Sequence, residues 1–338
     1  MKTLIAMLPI LSFKPVFKSV LWGGRRIAEF KGIEPVGDTV GESWELSPMP
    51  GHESVVAEGP MAGQTLPELC RAHGAALLGR HVVENWGTDF PLLVKFIDSN
   101  DDLSVQVHPD DELARRRHGS LGKTEMWYSL APQPGAYLYS GFTRRIDEDT
   151  FREMIADNTV VDVLARFDVK PGDVFFLPAG RVHAIGRGNL VAEIQEASDI
   201  TYRIYDYDRR DAQGNPRELH VEQAVGAIDF EANAVRTAGV LNVSPEAGKC
   251  LPVASCRYFT TEVLGIDGNE YTLQLPKDES FTILIGTSGS LSVADSEGRE
   301  TALPQGRTLL VPAEMPFCRI SGHGAALVVR IDRMPDLD

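Results

Sequence analysis

The sequence predicts a mainly β fold made of two β-barrels of one kind, with a few helices in the first. Strand-like apolar runs separated by turn residues dominate the chain, and its 31 Gly and 21 Pro favour many turns. A short internal repeat indicates that the two halves are related. At 338 residues, the chain is long enough for two domains.

The first part of the chain contains both helix and strand patterns. Thr65 as N-cap, with Pro67 and Glu68 in the first turn, predicts a helix over residues 66–78. Further helices are expected at residues 110–118, 147–156 and 221–228, with residues 143–166 forming a small helical excursion. The expected strands are residues 91–97, 103–108, 126–130, 136–139, 173–177 and 190–195.

The pattern changes after about residue 235. Residues 257–331 indicate a succession of short strands, and residues 242–249 have the composition of a linker. We therefore expect a helix-containing domain over residues 1–245 and an all-β domain over residues 246–338.

The internal repeat pairs residues 171–185 with residues 305–320. In each copy a glycine, Gly172 or Gly306, precedes a strand that ends six residues later in Pro-Ala. Chance is the competing explanation, because the motif is short. The alignment places Phe317 opposite His183, so the second barrel is expected to bind no metal and to serve packing or assembly.

Charge and cysteine content exclude several classes of protein. The chain has 48 acidic and 33 basic side chains, and its net charge of -15 repels nucleic acid and anionic membranes. It has no run of 18 apolar residues that would cross a membrane, and no signal-peptide cleavage site follows the apolar N-terminus. Four cysteines without a CxxC pair are expected to be reduced thiols in a cytoplasmic protein.

Polar side chains that suit a metal site lie at the ends of predicted strands. Ser104, Gln106 and His108 alternate with apolar residues and therefore share one face of a strand. Glu125 and His183 lie at two further strand ends. Two imidazoles, a carboxylate and an amide oxygen suit Zn²⁺ best, with Fe, Mn and Co as alternatives. A single histidine of this kind is more often structural.

Three other polar segments contain candidate functional residues. GSLGKT contains the end of a phosphate-binding loop, but Arg117 replaces its first glycine and a strand follows, so nucleotide binding is rejected. Lys123 remains a candidate phosphate contact. Glu193, Gln195 and Arg203 alternate with apolar residues and can face a common cavity, and Arg203 fits either a surface cation–π contact or a cation that stabilises an oxyanion. The charged residues of 110–117 indicate a solvated helix face.

The chain resembles the type I mannose-6-phosphate isomerases (phosphomannose isomerases), particularly their short bacterial form. The matching stretches are PVFKSVLWGGRRI, GESWELS, PLLVKFIDSNDDLSVQVHPDD, GKTEMWY, PAGRVHAIG and EIQEASDITYRIYDYDR. They cover about residues 13–210. The resemblance implies two cupin-type jelly-roll barrels and suggests Met7 as an alternative start. The large helical insertion of the long forms is absent, so residues 143–166 supply only a small cap.

The resemblance also implies a set of site residues. One Zn²⁺ per chain, or another divalent metal, would be held by Gln106, His108, Glu125 and His183. Ser104 and Lys123 would contact the sugar phosphate. Arg203 would be the catalytic arginine, and Lys95 and Glu193 would be the other polar residues of the site.

The implied reaction interconverts D-mannose 6-phosphate and D-fructose 6-phosphate through a cis-enediol. The metal would polarise the carbonyl, and Arg203 would stabilise the developing oxyanion. Glu193 is the first candidate for the base, and Lys123 and Lys95 compete with it. One alternative is a non-catalytic cupin that senses a metal or a sugar phosphate. Another is oxygenation at iron, which the amide and carboxylate ligands disfavour. The chain is expected to be a monomer or a homodimer.

Overall fold

A computed structural model describes residues 7–210, 213–230 and 242–333. Within these ranges the chain forms three antiparallel sheets and seven α-helices, which confirms the mainly β class. None of the described helices is long and apolar enough to cross a membrane. The helices are α1 (Arg26–Lys31), α2 (Leu66–His73), α3 (Ala75–Leu78), α4 (Arg80–Trp86), α5 (Asp111–His118), α6 (Glu148–Ala156) and α7 (Val221–Val225).

The first two sheets contain most strands of the first 210 residues. The six-stranded sheet has the order β10-β7-β12-β5-β3-β2. Its strands are β2 (Val16–Gly24), β3 (Val40–Leu46), β5 (Leu92–Ser99), β7 (Glu125–Ser129), β10 (Val174–Leu177) and β12 (Asn189–Glu196). The five-stranded sheet has the order β13-β6-β11-β8-β9. Its strands are β6 (Val105–Val107), β8 (Tyr137–Phe142), β9 (Leu164–Asp168), β11 (His183–Ile185) and β13 (Tyr202–Tyr205).

The third sheet has nine strands and joins the two ends of the chain. Its main path is β14-β15-β20-β17-β19-β1-β4, with β16 paired to β20 and β18 paired to β17. The strands are β1 (Leu11–Lys14), β4 (Val55–Val56), β14 (Cys250–Ser255), β15 (Thr260–Asp267), β16 (Tyr271–Gln274), β17 (Thr282–Ala294), β18 (Glu300–Pro304), β19 (Thr308–Val311) and β20 (Phe317–Arg330).

Strand register brings the predicted site residues together. In the six-stranded sheet, Glu193 lies opposite Lys95 on one side and Trp127 on the other. In the five-stranded sheet, Gln106 lies opposite both His183 and Arg203. Trp127 is fully buried in a cluster whose residues come from both sheets. The two sheets therefore supply the two sides of one site.

The structure corrects two expectations about element length. The helix predicted over residues 66–78 ends at His73, because Gly74 adopts a positive φ of 47° and a second short helix begins after it. The predicted capping box at Thr65 and Glu68 is present. The strands near the C-terminus are not all short: β17 and β20 have 13 and 14 residues, because β17 continues through a register shift after Gly286.

The two copies of the internal repeat have the same local structure. Gly172 and Gly306 both have a positive φ, of 81° and 78°. A four-residue strand begins two residues after each glycine, and the next strand begins at His183 in one copy and at Phe317 in the other. The repeat therefore describes a real strand–turn–strand unit, in which the two aligned residues open equivalent strands.

Candidate metal centre and its cavity

A cavity of about 370 Å³ lies where the six-stranded and five-stranded sheets contribute facing residues. Six of the residues expected from sequence line it, namely Lys95, Ser104, Gln106, Lys123, Glu193 and Arg203. His108, Glu125 and His183 are buried and form a compact cluster, in which one possible ligand atom of each residue lies within 4.8 Å of the others. Gln106 joins the cavity to this cluster, because its amide nitrogen lies 3.4 Å from His183 Nε2.

Backbone carbonyls orient both histidine rings towards the cluster. His108 Nδ1 lies 2.9 Å from the carbonyl oxygen of Ile200, and His183 Nδ1 lies 2.8 Å from that of Arg181. Each Nδ1 can therefore donate its proton outward, which leaves the Nε2 lone pair available to a metal. Burial lowers the pKa of His183 to about 3 and lowers the pKa of His108 well below its usual value, so both rings are neutral near pH 7.

The Glu125 carboxylate completes the cluster. Its Oε1 lies 3.3 Å from His183 Nε2, and its Oε2 lies 3.6 Å from His108 Nε2. Within the described ranges, Glu125 Oε1 and His108 Nε2 are buried without a hydrogen-bond partner, and the charge beside Glu125 Oε2 is the Lys123 ammonium. Such orphaned acceptors are rare unless an ion or another partner satisfies them. The donor set of neutral imidazoles and a carboxylate therefore fits a divalent metal ion.

Lys123 lies beside the cluster rather than at the far end of the cavity. Its Nζ is 3.1 Å from Glu125 Oε2, and both side chains are buried. Burial raises the pKa of Glu125 to about 7, while the Lys123 ammonium opposes this shift. Lys123 can therefore reach a molecule bound next to the metal ligands.

Lys95 and Glu193 form a buried ion pair in the same cavity. Lys95 Nζ lies 3.1 Å from Glu193 Oε1, and Trp127 Nε1 donates to Glu193 Oε2 at 2.9 Å. Although burial favours the neutral forms, Lys95 and Lys123 lower the pKa of Glu193 to about 2. Burial also acts against the charge of Lys95, but Glu193 and Glu42 outweigh it and raise the pKa of Lys95. Both groups are therefore charged near pH 7.

The cavity also contains Arg217, which the sequence interpretation missed. Arg203 and Arg217 both line the cavity. Asp206 orients Arg217, since Arg217 Nε donates to Asp206 Oδ2 at 2.7 Å. Burial and the nearby Arg217 lower the pKa of Arg203. The cavity therefore has a cationic wall in a protein whose net charge is -15.

Five polar or aromatic cavity residues were not singled out from sequence: Trp22, Glu42, Asp199, Thr201 and Arg217. Asp199, Thr201 and Arg203 follow one another at a spacing of two, which is the alternation expected of one strand face. That signal was available in the sequence. Trp22 and Arg217 are distant in sequence from the other residues, so only the fold brings them to the cavity.

Comparison with known proteins identifies the same family over most of the chain. A family model described as "Phosphomannose isomerase type I, catalytic domain" matches residues 10–130. The mannose-6-phosphate isomerase ManA of Bacillus subtilis (strain 168) is 36% identical over 326 residues, which cover 94% of this chain and 98% of that protein. The mannose-6-phosphate isomerase of Streptococcus mutans is 36% identical over 302 residues, covering 89% and 92%.

Solved structures agree with this result. The crystal structure of mannose 6-phosphate isomerase from Bacillus subtilis matches with a TM-score of 0.80 and 33% identity, over 95% of this chain and 99% of that one. A variant of phosphomannose isomerase from Salmonella typhimurium matches with a TM-score of 0.77 at 16% identity, over 96% of this chain and 100% of that one, which shows the shared fold. From its identity to relatives along nearly their whole length, the chain belongs to the type I phosphomannose isomerase family.

Proposed function

We propose that this protein is a mannose-6-phosphate isomerase that interconverts D-mannose 6-phosphate and D-fructose 6-phosphate through a cis-enediol. The observation that carries the proposal is the buried cluster of His108, Glu125 and His183 beside a cavity with a cationic wall. The relatives named as mannose-6-phosphate isomerases support the same activity. A cationic wall also suits a substrate that carries a phosphate dianion.

The metal in this proposal is one Zn²⁺ per chain, held by Gln106, His108, Glu125 and His183. The neutral imidazoles, the orphaned carboxylate oxygen and the adjacent amide support this ligand set. When bound, the metal supplies Lewis-acid polarisation of the sugar carbonyl, an effect of several kcal/mol in metalloenzymes. The side chains around the cavity then bind the substrate and move its proton.

Arg203 is proposed to stabilise the negative charge that develops on the substrate oxygen. It lines the cavity, and its backbone N–H and its Nη1 bond to His220 Nδ1 and to the Glu218 carbonyl, at 3.2 Å and 2.9 Å. These contacts hold the guanidinium before substrate binds. A preorganised cation in a buried cavity stabilises developing charge better than water does, because the cation need not reorganise during the reaction.

Lys123 is proposed to move the proton between the two carbons, ahead of Glu193 and Lys95. The Glu193 carboxylate is committed to Lys95 and Trp127, and its low pKa makes it a weak base. The raised pKa of Lys95 keeps that side chain protonated. In this arrangement Lys95 and Glu193 shape the cavity, and Lys123 lies next to the reacting end of the substrate.

Ser104 is proposed to contact the substrate phosphate, whereas Lys123, the other phosphate contact that the resemblance implies, lies beside the metal cluster and serves the reacting end instead. Both side chains line the cavity and are nearly inaccessible to solvent. Binding the far end of the substrate orients its reacting end over the metal ligands, which is a principal source of rate enhancement in such sites.

The wider architecture is also a proposal. We propose two jelly-roll barrels with a domain boundary near residue 245, the first formed by the six- and five-stranded sheets and the second by the nine-stranded sheet. All seven strands from β14 to β20 belong to the nine-stranded sheet, which supports this division. The first domain contributes β1 and β4 to that sheet. Free thiols at all four cysteines are compatible with a cytoplasmic enzyme, as a monomer or a homodimer.

The decisive experiment is a turnover assay with mannose 6-phosphate, performed on the purified full chain whose metal content has been measured. We expect zinc near one ion per chain and formation of fructose 6-phosphate in a coupled assay. Binding of zinc and of the sugar phosphate without turnover would replace the proposal by the alternative of a non-catalytic sensor.

A further inference from the structure

Beyond the cavity, two acidic side chains hold the loop that carries Lys123 and Glu125: the buried Glu196 and the half-buried Asp111. Glu196 is the last residue of β12 and is 2% exposed. Its Oε2 accepts a 2.6 Å hydrogen bond from the backbone N–H of Thr124, and its own N–H donates to the Thr124 carbonyl at 3.1 Å. Thr124 lies between Lys123 and Glu125. Glu196 therefore fixes both the N–H and the carbonyl of the residue that joins them.

Asp111, at the start of α5, holds Gly122, which lies two residues before Thr124 in the same loop. Its Oδ1 accepts from the Gly122 N–H at 2.9 Å. The next N–H, that of Lys123, donates to the carbonyl of Pro109 at 3.0 Å. A Cβ on Gly122 would lie 2.6 Å from the Asp111 nitrogen, so the loop requires glycine at this close approach. Three successive N–H groups of residues 122–124 are thus bound by fixed acceptors.

The Asp111 carboxylate also acts on Glu196 electrostatically. Burial is the larger cause of the raised pKa of Glu196, which it brings to about 8, and the nearby negative charge of Asp111 adds to the shift. Glu196 Oε1 is buried without a hydrogen-bond partner in the described part of the chain. The loop is therefore held by Glu196 Oε2 at Thr124 and by Asp111 Oδ1 at Gly122.

A residue from the C-terminal part of the chain also binds Asp111. Tyr258, in the turn between β14 and β15, donates its hydroxyl to Asp111 Oδ2 at 3.0 Å. The sequence analysis interpreted the charged residues of 110–117 as a solvated helix face. That interpretation holds for the exposed Arg115–Arg117, but it is wrong for Asp111, whose carboxylate accepts from the Gly122 N–H and from the Tyr258 hydroxyl.

We propose that Glu196, Asp111 and Tyr258 are positioning residues that hold Lys123 and Glu125 in the geometry needed for metal binding and turnover. Glu196 accepts from Thr124 and Asp111 accepts from Gly122, while Tyr258 links this support to the C-terminal part of the chain. The expected kinetic effects rest on the proposed function. The expected effect on the geometry of the metal ligands does not, because that geometry can be measured without activity.

The test compares Glu196→Ala with Glu196→Gln in the metal-loaded full chain. A glutamine amide oxygen can accept from the Thr124 N–H, so Glu196→Gln keeps this hydrogen bond, whereas alanine removes it. Loss of a group that supports a metal ligand lowers affinity or activity about 10- to 100-fold, and we expect this loss in kcat/KM for Glu196→Ala. Glu196→Gln should stay within about threefold of wild type, less than the cost of one hydrogen bond. The matched control is Glu112→Gln on the exposed side of α5.

Two further measurements separate positioning from a general loss of structure. The visible absorption spectrum of the Co²⁺-substituted protein reports ligand geometry without requiring activity, and it should change in Glu196→Ala but not in Glu196→Gln or Glu112→Gln. Thermal unfolding establishes that each variant is folded. If Glu196→Ala does not fold, Tyr258→Phe carries the test, with an expected loss of about fivefold in kcat/KM from one hydrogen bond.

Distinct outcomes overturn the two proposals. Wild-type kinetics and an unchanged Co²⁺ spectrum in Glu196→Ala would overturn the positioning role. A Glu196→Gln protein that loses as much as Glu196→Ala would overturn the assignment of this role to the hydrogen bond with Thr124. If the wild-type protein has no isomerase activity, the proposed function fails, while the Co²⁺ spectra still decide whether Glu196 positions the ligands.

Discussion

Lys95 and Glu193 lie directly opposite each other on adjacent strands, with Lys95 Nζ 3.1 Å from Glu193 Oε1 inside the cavity. Both side chains are buried, so each charge depends on the other for its stabilisation. This pairing is the reason that the proposed mechanism does not assign the base to Glu193 or Lys95, to which the sequence had left the role open.

Replacement of Lys95 by Met should therefore destabilise the protein. Leaving Glu193 as an unpaired buried charge costs about 3 to 5 kcal/mol in the free energy of unfolding. Chemical denaturation measures this change, and the double variant Lys95→Met/Glu193→Met should recover much of the loss. The exposed pair of Lys249 and Glu246 provides the control, since Lys249→Met should cost less than about 1 kcal/mol. Equal effects at the two sites would contradict the prediction.

His183→Ala should abolish stoichiometric metal binding. The ring is fully enclosed, its Nε2 faces Glu125, and alanine supplies no substitute ligand. Metal analysis after dialysis against dilute zinc measures the ratio of metal to protein. His323→Ala, an exposed histidine of the C-terminal sheet, should retain the wild-type ratio. A chelator should lower the melting temperature of the wild-type protein and leave that of His183→Ala unchanged.

Arg203→Ala should reduce turnover and leave the metal in place. Removing one group that stabilises a developing oxyanion costs about 100- to 1000-fold in kcat. The guanidinium is not among the cluster of metal ligands, so metal content should equal that of wild type. Arg187→Ala serves as an exposed control near the same strands. Full activity of Arg203→Ala would exclude the assigned role.

Ser104→Ala should raise the KM for mannose 6-phosphate and leave kcat close to wild type. A hydroxyl that contacts the phosphate equally in the ground and transition states contributes uniform binding. Loss of one such bond corresponds to about a threefold to tenfold increase in KM. Unphosphorylated mannose provides the comparison, because any residual turnover of that sugar should be insensitive to the substitution. A fall in kcat instead would place Ser104 at the reacting end.

Glu196 should make the stability of the metal-free protein decrease as pH rises. Its pKa is raised from 4.5 to about 8 in the folded protein, mainly by burial. A carboxyl whose folded pKa is raised contributes stability below its unfolded pKa, and this contribution is lost as pH rises through the folded value. Unfolding curves between about pH 5 and 9 should show a smaller slope for Glu196→Gln than for wild type. Identical slopes would contradict the shift.

Local sequence patterns predicted much of the candidate site. Gln106 and His108 are two residues apart, and alternation alone places both on one face of a strand. The N-cap at Thr65 follows from side-chain chemistry within four residues, and the structure contains it. The break of the first predicted helix at Gly74 was missed, because a glycine within a helical pattern permits an interruption without requiring one.

The sequence by itself determined the mainly β class, the family and the residue types that could hold a metal, because these depend on short-range periodicity and on motifs. Only the tertiary structure decided that Glu193 pairs with Lys95, that Asp206 orients Arg217, and that Glu196 binds the Thr124 backbone. Glu193 and Glu196 lie more than 70 positions from these partners, and the pairing of β12 with its neighbouring strands sets the contacts. Asp206 and Arg217 meet because the segment between them brings the chain back to the cavity. In each case the contact arises from packing of segments whose local patterns contain no information about their neighbours.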